Sequence, residues 1–252
     1  MTMKPEQRSL RPTPPSALRA CAQRAVIAAF LSAPLGLAWA QGFGATDYPF
    51  YAAPQLSFAA SNFMNLSVLN QTQRGAAAEA PAAGVSTVAP ESPVPLHTAD
   101  TLARAYAPKQ PGPLKSVLDQ SLDLFAKAAQ KAQQPANDVA VALAFFVAAN
   151  YAASQGQPLV ADADFPRLVA QMRNGLASSP AFQRTTARLK REAFEQLATV
   201  GMFVYLAKLE LDKNPASEPA KHFRNHARAN LASVLGASAD RVVLSQGTLA
   251  LR

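Results

Sequence analysis

A glutamate and two histidines recur at four-residue intervals near the end of the chain: Glu218, His222 and His226. On a helix this spacing places the three side chains on one face, about one turn apart. Two imidazoles and a carboxylate are a ligand set that Zn²⁺ accepts. Basic residues on the same helix would repel a cation, and the sequence has neither a His-Glu-x-x-His motif nor an obvious fourth ligand. The pattern gives a metal-site hypothesis, under which the protein would be a metal-dependent factor or enzyme.

Two groups of basic residues also follow helical spacing. Helix faces of this kind can contact a partner protein, a polyanion or anionic lipid headgroups. The alternative is an ordinary solvated helix surface, because Glu192 and Glu195 lie close to the first group. The candidate partner-binding residues are Arg184, Arg188 and Arg191, with Lys190 beside them, and Lys221, Arg224 and Arg228.

Motifs for other chemistries are absent from the sequence. There is no Gly-x-Ser-x-Gly for a serine nucleophile, no Gly-x-x-x-x-Gly-Lys for a phosphate and no Gly-x-Gly-x-x-Gly before a helix. One cysteine excludes a disulfide framework and a cysteine-based zinc site. Asp162 and Asp164 are better explained as residues that begin a helix than as a catalytic pair. We therefore expect no catalytic residue and no cofactor.

Residues 1–40 have the three parts of a secretory signal peptide. Residues 1–24 contain five basic residues and one acidic residue, and residues 26–40 form an uncharged run that ends in Ala-Trp-Ala. A membrane-spanning helix needs about 20 apolar residues, so this run of fifteen is too short to cross a bilayer. We expect cleavage between Ala40 and Gln41.

Cleavage would change both the charge and the cysteine content. The whole chain has 24 Lys and Arg against 16 Asp and Glu, a net charge of +8, and half of that charge lies in the leader. The remaining +4 is an ordinary value for a soluble domain, so we expect no binding to nucleic acid. Cys21 would leave with the leader, and a chain without cysteine suits an oxidising compartment. The predicted location is periplasmic or secreted.

The elements that would position the candidate residues begin after a proline- and alanine-rich segment. Residues 41–112 contain few charges and few large apolar side chains outside an aromatic segment at 48–69. This composition predicts a flexible, disordered arm. The aromatic segment either packs loosely on the rest of the protein or docks a partner.

Helical periodicity is clear over residues 113–252, which we expect to form one mainly α, compact bundle of about five helices. The second helix, at 139–154, is apolar on nearly every face and should be central. In the fourth helix Leu189 should face the core, and Gly201 should lie against a neighbouring helix. A short β-hairpin or strand follows, with a three-residue turn at 245–247. The predicted helices lie at 114–134, 139–154, 165–176, 186–213 and 217–235.

Four segments between about residue 98 and residue 251 resemble a family of exported bacterial proteins known as a domain of unknown function. The resemblance implies an exported helical domain and implies no activity, and residues 41–97 lie outside it. The segments that carry it are DVAVALAFFVAANYAASQG (138–156), LVAQMRNGLASSPAF (168–182), REAFEQLATVGMFVYLAK (191–208) and LGASADRVVL (235–244).

Taken together, these features predict an exported, non-enzymatic interaction module whose partner is a protein or another component of the cell envelope. A metal-dependent factor or enzyme using Glu218, His222 and His226 is one alternative. A peripheral membrane-binding protein that uses its basic helix faces is the other.

Overall fold

The computed structural model of the protein describes residues 85–90 and 96–252. The predicted leader, its cleavage site at Ala40 and Gln41, and the aromatic segment 48–69 lie outside these residues. The described part confirms a mainly α fold with a short C-terminal hairpin. Its elements are α1 Thr98–Tyr106, α2 Pro111–Lys131, α3 Val139–Gln155, α4 Phe165–Ala177, α5 Pro180–Gln183, α6 Ala187–Leu211, α7 Glu218–Leu235, a 3₁₀ helix Gly236–Arg241, β1 Val242–Ser245 and β2 Thr248–Leu251.

Helix α1 falls in the part of the chain that the composition assigned to the arm. It packs on α2 and contacts α6, and it buries Leu102, Ala103 and Tyr106. The residue before the helix, His97, has φ 50° and forms no side-chain cap, so the usual N-terminal sequence signal is missing here. The packed part of the protein therefore includes residues ahead of 113. With the single-turn helix α5, α1 raises the number of α-helices in the described residues from the expected five to seven.

Helix α3 lies at the centre of the bundle, as its composition predicts. It packs on α6, α7 and α4, and fourteen of its seventeen residues are buried. Asn150 carries the one buried side-chain amide of this helix. It donates to the carbonyl oxygen of Phe146 and accepts a hydrogen bond of 3.0 Å from Asn230 on α7. Among the described residues, no helix is both long enough and apolar enough to cross a bilayer.

Close helix packing places α6 directly on α3. A Cβ atom at Gly201 would lie 3.0 Å from the Cα atom of Phe146, so the glycine allows the two backbones to approach, as expected from the sequence. The ring of Phe125 on α2 makes edge contacts with Phe145 on α3 and with Phe194 on α6. The ring centroids are 5.8 and 5.9 Å apart, respectively. These aromatic contacts join three helices in one core.

The prediction that Leu189 faces the core is wrong. Its exposed fraction is 44%. Burial on α6 begins only at Ala193, so the first turn of the helix extends beyond the neighbours that cover its later turns. Hydrophobic periodicity indicates the inner face of a helix but does not show where along its length that face is covered.

The C-terminal hairpin has a tighter turn than predicted. Ser245 pairs with Thr248, which leaves a two-residue turn of Gln246 and Gly247. Both turn residues have positive φ angles, 48° and 71°, as the favoured type I′ hairpin turn requires. The side-chain amide of Gln171 on α4 donates to the carbonyl oxygen of Leu249 and accepts from its N–H group, both at 2.8 Å. The hairpin is thereby fixed to the bundle through β2.

Candidate functional site

The proposed metal ligands lie on one helix, but the structure does not assemble a ligand set around them. Glu218 is the first residue of α7, and its carboxylate accepts a hydrogen bond of 2.6 Å from Lys221 Nζ. That hydrogen bond is the main cause of a lowered pKa for the Glu218 carboxyl, to which the nearby His222 adds. Within the part of the chain that the structure describes, no three His, Cys, Asp or Glu side chains are grouped so as to hold a metal ion.

The basic residues of α7 all have partners. Lys221 is paired with Glu218. The Arg224 guanidinium donates to the carbonyl oxygen of Pro215 at 3.0 Å, and Arg228 lies 3.8 Å from Asp240. Of this second predicted face, Lys221 and Arg228 thus lie close to carboxylates, whereas the carbonyl oxygen that Arg224 contacts does not neutralise its charge.

In the first basic group, Arg191 differs from Arg184 and Arg188 because it forms an ion pair. Its Nε donates to Glu195 at 2.7 Å, and its guanidinium lies 5.2 Å from the ring centroid of Phe194. The other carboxylate oxygen of Glu195 accepts a hydrogen bond of 2.7 Å from the Thr98 hydroxyl on α1. Arg191 thus belongs to a network that joins α6 to α1, and it does not share the outward face predicted for it.

Arg184 and Arg188 are exposed, and together with Lys190 they form what we call the basic rim. Arg184 donates to the carbonyl oxygen of Pro180 at 3.2 Å, and the Lys190 ammonium lies 4.5 Å from the ring centroid of Phe182. Among the described residues, none of the three rim cations is in an ion pair. No carboxylate of the described residues therefore neutralises their charge.

A groove of about 360 Å³ lies next to the basic rim, within the range of about 300–1,000 Å³ that ligand pockets span. We call it the basic groove. One wall is the extended segment 85–90 and the other is the corner between α5 and α6. Val88 is 41% exposed in this groove. The lining residues are Val85, Ser86, Val88, Pro90, Gln183, Ala187 and Lys190.

Backbone hydrogen bonds fix the segment 85–90 to the start of α3. The N–H group of Ala89 donates to the carbonyl oxygen of Asn137 at 2.8 Å, and the N–H group of Val139 donates to that of Thr87 at 2.9 Å. The Asn137 side-chain amide adds a bond of 2.9 Å to the carbonyl oxygen of Ala89. Thr87 and Ala89 are buried, whereas Val88 between them is exposed.

Asp138 supports the same junction from inside the protein. Its side chain is 2% exposed, caps α3 by accepting from the N–H group of Ala140 at 2.8 Å, and pairs with Arg173 of α4 at 2.7 Å. Its backbone lies opposite Val88 in an antiparallel bridge. The position of the groove wall is therefore coupled to the packing of α3 on α4.

Among its described lining residues, the groove combines apolar side chains, the Lys190 ammonium and an extended backbone segment. Neither a carboxylate nor a histidine is among the described residues that line it. The residues of the 85–90 wall were not predicted as part of a site, because they lie in a segment whose composition indicates an arm. The signal that points to them is Val85-Ser86-Thr87-Val88, a short run in which three residues are β-branched.

The described residues thus form a small, mainly α-helical domain with a groove on its surface. The chain belongs to a family of unknown function, DUF6683, which matches residues 20–252. The match begins far ahead of residue 98, so the segment 41–97 belongs to the family, contrary to expectation. No curated protein and no solved structure matches the chain.

Proposed function

We propose that this protein is a non-enzymatic interaction module that docks an acidic segment of a partner in the basic groove. The observation that carries the proposal is the absence of any carboxylate, among the described residues, in ion-pair contact with Arg184, Arg188 or Lys190 beside a groove that is lined by both apolar and polar side chains. Complementary charge steers a partner toward such a surface and excludes partners of like charge.

The proposal is tested with the purified protein and a labelled hexapeptide in which Glu and Val alternate. Arg188→Glu should weaken binding about tenfold, which corresponds to about 1.4 kcal/mol, because it reverses a rim charge that has no internal partner. Lys127→Glu makes the same charge change on an exposed position of α2 and should leave the affinity near that of the unchanged protein. Equal affinities for the two variants in a fluorescence anisotropy titration would refute the docking site.

We also propose that the module is exported and works in the periplasm or outside the cell. Supporting this are the basic, apolar and small-residue parts of residues 1–40 and the lack of cysteine in residues 41–252. N-terminal sequencing of protein from the cell envelope or medium should find Gln41 first. Ala40→Phe, which places a bulky residue where the peptidase requires a small one, should leave the leader attached. Unprocessed protein that remains in the cytosol contradicts export.

A second candidate function is peripheral contact with an anionic membrane. The observation in its favour is Leu189, whose exposed side chain follows Arg188 on the first turn of α6. An apolar residue among cations is the composition of an interfacial surface. Co-sedimentation with vesicles should then require anionic lipid and decrease in Leu189→Ser. Binding that does not depend on lipid charge would exclude this candidate.

A further inference from the structure

In the wall of the basic groove, the backbone edge at Val88 is not paired with any other described strand or bridge. Around Val88 and Asp138, the flanking residues exchange the hydrogen bonds, from Ala89 N–H to Asn137 and from Val139 N–H to Thr87. In an antiparallel ladder this makes Val88 and Asp138 a non-hydrogen-bonded pair, so the N–H and C=O groups of Val88 point away from α3.

These two outward groups are poorly satisfied. The Val88 N–H group donates only to the hydroxyl of Ser86, two residues earlier, at 3.2 Å and in an exposed position. No residue that the structure describes donates to the Val88 carbonyl oxygen. Pro90, which has no N–H group, limits the edge on its C-terminal side. The edge is therefore short, with Val88 at its centre.

We propose that this edge accepts an extended acidic peptide of a partner protein as an added β-strand, paired with Val88. The proposal rests on the proposed function and specifies how the groove binds. Main-chain hydrogen bonds supply affinity in this mode, and side-chain pockets supply specificity.

The charge of the groove selects the peptide. In a paired strand, the residue opposite Val88 has its side chain on the same side as Val88. Val88 and Lys190 line the same groove, so this position takes Asp or Glu. Arg184 and Arg188 directly follow the lining residues Gln183 and Ala187 in the chain, and cations close to the groove favour further acidic side chains along the peptide.

Val88→Pro tests how much the backbone hydrogen bonds of Val88 contribute to peptide binding. It deletes an N–H group that the segment does not use to bind α3. The preceding Thr87 takes part in the antiparallel pairing, and an extended residue of this kind is compatible with a following proline. Binding of the Glu-Val hexapeptide should weaken about tenfold, the effect of leaving one buried carbonyl without its donor. Val88→Thr keeps the N–H group, and its affinity should stay near that of the unchanged protein.

A second measurement changes the peptide in place of the protein. N-methylation of the peptide residues removes the donors that would reach the Val88 carbonyl oxygen, while the charges stay the same. The unchanged protein should bind the methylated peptide about tenfold more weakly. Hydrogen exchange at the Val88 amide should slow when the unmethylated peptide binds.

The possible outcomes separate the two proposals. If Arg188→Glu loses binding while Val88→Pro and the methylated peptide bind normally, the groove binds acidic ligands without strand addition, and the present inference is wrong. If neither substitution changes binding, both proposals fail. If anionic vesicles bind and the acidic peptide does not, the surface serves a membrane, and strand addition is again overturned.

Discussion

At the scale of single residues, Asp138 joins three parts of the protein through one carboxylate. It caps α3, pairs with Arg173 on α4 and lies opposite Val88 at the groove wall. Truncation would remove a helix cap and leave a half-buried guanidinium without its anion. Each loss is costly because the Ala140 N–H group and the Arg173 guanidinium would each lose a charge-assisted hydrogen bond and would be incompletely hydrated.

Asp138→Ala should therefore lower the free energy of unfolding by about 2 kcal/mol or more, measured by urea denaturation. Asp164→Ala is the matched control, because Asp164 occupies the N-cap position of α4 without a side-chain cap hydrogen bond. It should cost about 0.5 kcal/mol, through the helix dipole and a long, exposed ion pair of 4.0 Å with Arg167. Equal losses for the two variants would contradict the role assigned to Asp138.

The metal-site hypothesis is also tested at this scale. Because Lys221 holds the Glu218 carboxylate and the described residues contain no group of three ligands, we expect equal melting midpoints in Zn²⁺, in chelator and in metal-free buffer. A bound metal would raise the midpoint by mass action. A rise that disappears in both His222→Ala and His226→Ala would reinstate the site.

At the scale of elements, the contact between α3 and α6 depends on a missing side chain. Gly201→Ala would place a Cβ atom 3.0 Å from Phe146 Cα and 3.2 Å from its N atom. These are backbone atoms, so the helices must shift. Overpacking costs about 1–3 kcal/mol, against a gain of about 1 kcal/mol in helix propensity. We expect a net loss of stability in urea denaturation.

Gly112→Ala provides the comparison for this prediction. Gly112 lies in the first turn of α2, and apart from its two chain neighbours and the nearby helix backbone, no described atom lies within 4 Å of the position that an alanine Cβ would occupy there. Alanine gains helix propensity here but meets the ring of the following Pro113, so the substitution should be close to neutral. If both glycines respond in the same direction, close packing of α3 on α6 is not the reason for Gly201.

Elements of this fold differ, for physical reasons, in how far the sequence predicts them. Helices α2, α3, α4, α6 and α7 were predictable, because each buries a stripe or a whole surface that repeats at helical spacing. The close approach of a neighbouring helix at Gly201 was also predicted and is confirmed. These features depend on residues close together in the chain, or on composition alone.

The candidate site was less predictable, because its parts meet only in the fold. The wall 85–90 is extended because residues 137–139, about fifty positions later, supply its hydrogen bonds. Likewise, the basic spacing identified Arg184 and Arg188 but could not show that Arg191 pairs with Glu195. The pattern of a single sequence indicates which residues share a helix face, but it does not show which acidic side chains pair with the basic ones.

At the scale of the whole molecule, the buried Tyr106 makes folding sensitive to alkaline pH. This last residue of α1 is 7% exposed, and burial raises the pKa of its phenol well above the usual value of about 10. The folded state thus favours the neutral phenol. Its contribution to stability is complete below about pH 10, the unfolded pKa, and decreases as the pH rises from there toward the folded pKa.

Tyr106→Phe removes this titration and keeps most of the apolar contact between α1 and its neighbours. The melting temperature of the unchanged protein should decrease steeply between about pH 9.5 and 11.5, and that of the variant should decrease less over the same interval. Tyr205→Phe should also reduce the slope, because burial, and then Asp162, raise the pKa of that phenol. Parallel melting curves for Tyr106→Phe and the unchanged protein would show that ionisation of Tyr106 is not coupled to unfolding. In that case α1 would open before the rest of the bundle unfolds.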